Sequence, residues 1–338
     1  MVYLAKHARI HYICPLTLKP YKMKHLGISG GGTKIGGLFG AAETIIKEKN
    51  YQPDIISGIS AGAILSVPLA LGKFDAIKKM VLDFNLDTFF NVSPIKPSGK
   101  INTWNAIKKL LGGKHYLGEQ YNLEKALSEL VSNEDFEKYK KDKNFAICIV
   151  GTVDFYTGKR YYVNLKEVAY EHFLKFVNAS ASLPIFTPGI FVDFPFKDFE
   201  GNSPSFNKVL LFDGGVRDHS PTHKILSSNV FKITETCTLF SRADKLSDML
   251  DPKSFDPKNI LKILEKYVDI TNIEVSKNDE YQEHRDVKDK KIIDHGIYFL
   301  PRVMESVYDV DKPKLKKLYE SARTTVSGSW DKVSTHMK

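Results

Sequence analysis

Twice between residues 24 and 71 the chain passes from a short strand-like run, through glycine, into a helix-like run, and few folds accept that order of events. Residues 24–29 read as a strand leading straight into Gly30-Gly31-Gly32. From 33 to 49, Ile35, Leu38, Phe39, Ala42, Ile45 and Ile46 recur at helical spacing, which predicts an amphipathic helix. Residues 54–57 predict a second short strand. Residues 61–71 predict an apolar, buried helix bent near Pro68, which has no backbone N–H to donate. Strand–helix–strand–helix with such short connections implies a parallel sheet covered on both faces.

That rhythm breaks over 84–121, where Pro94, Pro97, Gly99, Gly112 and Gly113 mark loops around one helical piece. Residues 145–150 are all apolar and predict a central strand, after which Thr157-Gly158 turns the chain into a paired strand over 160–165. Residues 208–212 predict another buried strand that ends on Asp213, and strand C-termini are where open α/β sheets bind ligands. Beyond Pro221 the pattern predicts one strand around 230–239, a polar stretch and two helices. The first is N-capped by Asp256 with Pro257 at its first position and carries Ile260, Leu264, Tyr267 and Val268 on one face. The last begins near Asp311 and carries Leu315, Leu318, Tyr319, Ala322 and Val326 as one stripe.

Three elements of this pattern can carry chemistry. Gly58-Ile59-Ser60-Ala61-Gly62 is a GxSxG pentapeptide between a strand and an apolar helix. In such a turn the flanking glycines permit a sharp bend that exposes the serine, and the following helix directs its N-terminal N–H groups at the site. Alone, the pentapeptide is equally compatible with a chance loop. Gly30, Gly31 and Gly32 sit at a strand-to-helix junction whose converging N–H groups suit an anion, either a phosphate or an oxyanion. A phosphate loop of the GxxxxGK[ST] type fails because Thr33-Lys34 stands in the wrong order, and GxGxxG fails because Ile35 occupies its third glycine position. An oxyanion hole and a plain tight turn remain. Asp213, followed by Gly214-Gly215, is either a turn signal or a base, and a carboxylate with an ordinary pKa of about 3.9 must lie within hydrogen-bond reach of the serine to act.

Taken in this order the motifs resemble those of the patatin-like phospholipases. The family's glycine-rich motif matches Gly30 to Lys34, its GxSxG matches Gly58 to Gly62, and its DGG matches Asp213 to Gly215. The Ala/Ser block over 179–188 resembles a fourth family segment. The resemblance covers about 24–222 and implies a three-layer α/β/α fold with a mainly parallel central sheet and a C-terminal helical extension. It divides the chain into an N-terminal extension (1–22), a catalytic domain (23–222) and a C-terminal helical part of the same domain (223–338). It implies Ser60 as nucleophile and Asp213 as base of a dyad without histidine. Gly30, Gly31 and Gly32 would form the oxyanion hole, supported by Lys34, Gly58, Gly62, Gly214 and Gly215. The implied reaction is acyl-ester hydrolysis of a phospholipid or related lipid, with no metal and no cofactor. One position departs from the family: the residue after Lys34 is Ile35 rather than glycine, and Gly36 follows one place later, which implies a shifted helix start.

Composition narrows the setting. The chain carries 49 Lys and Arg against 40 Asp and Glu, a formal charge of +9 spread along its length. That excess suits an anionic partner such as a phospholipid surface or nucleic acid. Lysines spread along the chain rather than clustered in one basic arm fit a solvated lysine-rich surface better, and no nucleic-acid partner is expected. Cys14, Cys148 and Cys237 are far apart and form no CxxC pair, which fits a reducing compartment. Residues 1–22 lack the continuous apolar core of a secretory signal, and no window approaches the roughly 20 apolar residues of a spanning helix. Cytoplasmic residence with peripheral membrane contact is therefore expected, and Met23 is an alternative start.

Two segments suit lipid contact. Trp104, Ile107 and Leu111 share one side of a helical stretch beside Lys108 and Lys109, which fits an interfacial helix or lid but also an ordinary core-packed helix. Phe186, Phe191, Phe194, Phe196, Phe199 and Phe206 are dense enough to line an acyl-chain pocket, or simply to build core. Rival readings are an α/β-hydrolase whose triad recruits His219, His223, His284 or His295, an acyltransferase sharing the acyl-enzyme, and a catalytically silent lipid-binding protein. The first conflicts with Ser60 lying only 28 residues after Gly32, too soon for the strands that fold places ahead of its nucleophile.

Overall fold

β1 (Met23–Ile28) and β2 (Ile55–Gly58) pair in parallel, from His25 opposite Ile55 to Ile28 opposite Gly58. They lie at the centre of one sheet in the computed structural model, which describes residues 22–94, 96, 102–193, 196–244, 260–304 and 310–335. β3 (Ile147–Asp154), β4 (Arg160–Asn164), β5 (Ile190–Asp193), β6 (Lys208–Asp213), β7 (Ile233–Phe240) and β8 (Ile293–Phe299) complete it. The order is β5-β6-β3-β2-β1-β7-β8, with β4 paired to β3. The pairs β1–β2, β2–β3, β1–β7 and β7–β8 are parallel, and β3–β4, β3–β6 and β5–β6 are antiparallel.

In chain order the helices are α1 (Ile35–Glu43), α2 (Ala61–Ala70), α3 (Phe74–Leu82), α4 (Leu86–Phe89), α5 (Thr103–Leu111), α6 (Tyr121–Leu130), α7 (Asn133–Lys141), α8 (Tyr170–Ser180), α9 (Thr222–Ser227), α10 (Ile260–Lys290) and α11 (Lys312–Thr335). The two sheet faces differ in chemistry. One face sends Leu26, Ile28, Ile56 and Val150 into a large core shared with α1, α2, α8 and α11. Leu315, Leu318, Tyr319, Ala322 and Val326 of α11 are all buried there, as their stripe predicted. The other face is polar at its centre. His25 bonds Ser57 (2.7 Å) and Thr236 (3.0 Å), and Thr238 donates to Glu283 of α10 (2.6 Å). Three layers result, α/β/α as expected.

Register sets the site. β2 and β6 occupy the same edge of β3 one after the other, because β4 pairs along the opposite edge. Gly58 ends β2 opposite Val150, and Asp213 ends β6 opposite Thr152. Those partners are two residues apart, about 7 Å along β3. The C-termini of two oppositely directed strands thus meet head-on, and residues just past each are brought together.

The C-terminal part differs from the sequence expectation by contributing a second strand, β8, besides β7. The N-cap expected at Asp256-Pro257 lies outside the described residues, as do residues 1–21 and therefore Cys14. Of the face expected on the helix that follows, Tyr267 is exposed.

Candidate active site

Ser60 follows β2 directly and precedes α2, with φ 54° and ψ −116°. A non-glycine residue in such a conformation costs on the order of 1–3 kcal/mol and persists only where its surroundings enforce it. Two enforcing contacts are visible. The Ser60 N–H donates to Ser180 Oγ (3.0 Å), which itself donates to the Gly151 carbonyl (2.7 Å). The glycines on either side let the turn close: a Cβ on Gly62 would stand 2.2 Å from the Ile28 carbonyl oxygen, and one on Gly58 2.3 Å from Gly62 backbone. The result is a tight strand-to-helix turn that only small flanking residues allow.

Asp213 is 4% exposed, and its Oδ1 accepts the Gly215 N–H at 2.7 Å. Ser60 and Asp213 line the same cavity. Burial pushes the carboxyl pKa up to about 7, opposed by the Gly215 bond and by the nearby Ser60 hydroxyl. A carboxylate tuned to that range is a competent base near neutrality, whereas an ordinary one is not. Gly214 is required for space, since a Cβ there would lie 2.7 Å from the Gly151 carbonyl oxygen.

The glycine cradle differs from expectation at one residue. Gly30 does not offer its amide to an oxyanion: its N–H donates to the His219 carbonyl (3.0 Å), and its carbonyl accepts from Ser29 Oγ and Ser241 Oγ. Both its backbone groups are committed to fixing the loop. Gly31 and Gly32 line the same cavity as Ser60, and their amides have no acceptor among the described residues. Of the three glycines, Gly31 and Gly32 are thus the ones whose amides are left open beside Ser60. Gly32 has φ 52°, a conformation that favours glycine. The Lys34 amide closes the turn on the Gly31 carbonyl at 3.0 Å. The departure at Ile35 is a core substitution. Ile35 is fully buried at the start of α1, while Gly37 and Gly40 take the close approach of Leu318 and Tyr319 from α11.

Of the four downstream histidines, His219 alone lines the cavity. His223 pairs with Asp286 (2.6 Å), His295 with Glu235 (2.8 Å), and His284 bonds the Glu280 carbonyl. The His219 ring is buried and stacks on Phe240, and its Nδ1 has no partner among the described residues. Burial, with the Arg242 and Lys34 charges, lowers its pKa to about 4, so it is neutral at pH 7. No carboxylate orients it, and a Ser-His-Asp relay is not assembled among the described residues. His219 is the cavity residue that the motifs did not single out, and only its place six residues after Asp213 hinted at it.

The cavity beside Ser60 and Asp213 has a volume of ≈130 Å³, with walls that include Ile64, Phe84, Phe89, Phe90, Leu123 and Phe186. Of the phenylalanines clustered in sequence, only Phe186 reaches it. Phe196 and Phe199 pack in the interior, Phe191 and Phe206 are exposed, and Phe194 lies outside the described residues. The apolar wall comes instead from the irregular segment 84–94. The same segment leads towards α5, whose Trp104, Ile107 and Leu111 are exposed rather than packed on the core. Among the described residues no group of His, Cys, Asp or Glu side chains is arranged to hold a metal ion. No helix among them is long and apolar enough to cross a membrane.

A strained serine at a strand-to-helix turn, a buried aspartate and a glycine loop thus face one apolar-walled cavity of a three-layer α/β protein. The family model for patatin-like phospholipases matches residues 26–226, and the chain belongs to that family. Among solved structures it is similar to VipD from Legionella pneumophila at 12% identity, over 93% of this chain and 67% of that one, with a TM-score of 0.43. It is also similar to a chain of the complex of full-length SpcU with full-length ExoU from Pseudomonas aeruginosa, at 14% identity and a TM-score of 0.35. There the match covers 92% of this chain but 60% of the other, so this chain spans less than two thirds of that relative. No curated protein matches the chain by sequence.

Proposed function

We propose that the protein is a lipid acyl hydrolase that cleaves acyl esters of phospholipids through a Ser60 acyl-enzyme, with Asp213 as the base. The convergence of the strained Ser60 and the buried Asp213 carboxyl on one cavity with Gly31 and Gly32 carries this reading.

The ester carbonyl seats against Gly31 and Gly32 with its acyl chain along Phe84, Phe89 and Phe186. Asp213 takes the Ser60 Oγ proton as Oγ attacks the carbonyl carbon. The negative charge that develops on the carbonyl oxygen meets the two amides, each such donor contributing about 2.7–4 kcal/mol to the barrier reduction. Collapse breaks the C–O ester bond, and the leaving alcohol takes the proton from Asp213. Water then attacks the acyl-enzyme, gives its proton to Asp213, and the second collapse returns that proton to Ser60 Oγ as the fatty acid leaves. Neutral His219 lines the same space and supplies a polar contact without adding charge. The basic surface suits a peripheral encounter with anionic membranes.

Incubating vesicles with wild type, Ser60→Ala and Asp213→Asn and following fatty-acid release tests the reading. Wild type is expected to release acyl chains and both variants to lose at least about a thousandfold, as triad-type residues do. Equal release by wild type and Ser60→Ala overturns it. Adding lysolipid or a simple alcohol as acceptor separates hydrolysis from acyl transfer.

A further inference from the structure

Val92 and Glu119, one on either side of α5 in the chain, lie side by side as an antiparallel bridge. The Glu119 N–H donates to the Val92 carbonyl (2.7 Å), and the Asn102 N–H donates to Pro94 (2.8 Å). Leu117 and Gly118 donate to the carbonyls of Ile185 and Phe186. Pro94 and Phe186 both line the catalytic cavity, so α5 is rooted at its rim.

Two independent features meet on this segment. Trp104, Ile107 and Leu111, spaced i, i+3 and i+7, are 74%, 51% and 84% exposed. Beside them runs a groove of ≈920 Å³ whose lining includes Lys96, Lys108, Lys109, Lys114 and Lys312, with Asp87 its only acidic residue among those described. Of these lysines only Lys109 makes a salt bridge among the described residues, to Glu119. Phe84 lines both the groove and the catalytic cavity, so a single wall separates them.

We propose that α5 and the lysine groove form the face through which the protein docks on an anionic phospholipid bilayer. The three apolar side chains enter below the headgroups while the lysines meet the phosphates. Charge selects this occupant: a second copy seated on the same face would set lysines against lysines, whereas an anionic bilayer matches both the apolar stripe and its basic border. The proposal deepens the lipid-hydrolase reading by naming its approach surface, but vesicle binding does not require Ser60 chemistry.

The test uses full-length Ser60→Ala protein with vesicles of phosphatidylcholine alone or with added phosphatidylserine. Co-flotation and a blue shift of Trp104 emission are the readouts. The other tryptophan, Trp330, is stacked on His295 and Tyr298 and serves as the constant background. Binding to the phosphatidylserine vesicles is expected to exceed that to neutral ones. Ile107→Asp with Leu111→Asp is expected to weaken it at least roughly tenfold. Each of Lys96→Gln, Lys108→Gln and Lys114→Gln is expected to weaken it roughly fivefold, on anionic vesicles only. None of these residues touches the dyad, so hydrolysis of a dispersed short-chain ester by the same variants in an otherwise wild-type background checks that they fold. Absence of binding, equal binding to both vesicle types, or full binding by the double variant overturns the proposal. Vesicle binding without any ester hydrolysis by wild type would support this surface and sink the Ser60 reading. Hydrolysis of the dispersed ester without vesicle binding does the opposite.

Discussion

Replacing Asp213 with asparagine is expected to make the protein more stable at alkaline pH while abolishing its chemistry. The carboxyl is 4% exposed, and burial raises its pKa from 3.8 to about 7. In the unfolded chain the group ionises near 3.8, so between pH 4 and 7 unfolding releases a proton. The contribution of this group to stability is therefore fully present below the unfolded pKa and is lost as pH rises through about 7. Holding a group with that difference ionised in the folded state costs about 4 kcal/mol, of which about 3 kcal/mol develops between pH 5 and 8. Asparagine has the same shape, still accepts the Gly215 N–H through Oδ1, and does not titrate. Urea unfolding of wild type and Asp213→Asn at pH 5 and pH 8 reads the effect directly. The advantage of the variant is expected to grow by about 3 kcal/mol across that interval. An advantage that is constant with pH, or that shrinks towards pH 8, refutes the claim that Asp213 is a desolvated, elevated acid.

Other consequences follow from the same geometry. Because the base must be ionised, kcat/KM for a dispersed ester is expected to rise with pH and reach half its plateau near pH 7, the value to which burial moves Asp213; a plateau extending unchanged to pH 5 contradicts this. Ser180→Ala unpairs the part-buried Ser60 amide and relaxes the turn, so fluorophosphonate labelling is expected to slow about tenfold, equivalent to about 1.4 kcal/mol, with labelling at the wild-type rate counting against the turn's role. Asp279 of α10 accepts the His219 and Ser220 N–H groups (2.5 and 2.9 Å), and His219 in turn holds Gly30. Asp279→Ala is expected to cost about 1–3 kcal/mol in thermal unfolding while Asp279→Asn, which keeps an acceptor, costs less; equal losses would show that the bonds do not matter.

What could be read from the sequence was what local pattern controls. β1, α1, β2 and α2 each announce themselves through apolar spacing and the glycines between them, and β6 through the apolar run that delivers Asp213. The direction of β6 was not readable. It runs antiparallel to β3 and meets β2 head-on, which is a matter of long-range register rather than of any residue in the strand. β8 was missed because Asp294, His295 and Gly296 interrupt its apolar pattern, and His295 finds its partner only once Glu235 of β7 is beside it. α10 was legible at its start, where apolar residues recur at helical spacing, but not in its second half. There the buried positions include Ser276, Asp279, Glu283 and Asp286, which meet Arg242, the 219–220 backbone, Thr238 and His223 rather than an apolar core. Gly30 illustrates a similar limit: converging amides are visible in sequence, but the distant His219 carbonyl that accepts one of them is not. α5 shows the limit from the other side, since apolar residues at helical spacing do not say whether they face a core or the outside.

The central claim is that Ser60 is the nucleophile activated by Asp213. Intact-mass and peptide mapping after treatment with a fluorophosphonate probe addresses it most directly. The account predicts a single adduct on Ser60 in wild type, absent from Ser60→Ala and strongly slowed in Asp213→Asn. An adduct on another residue, or equal labelling of wild type and Ser60→Ala, would contradict it.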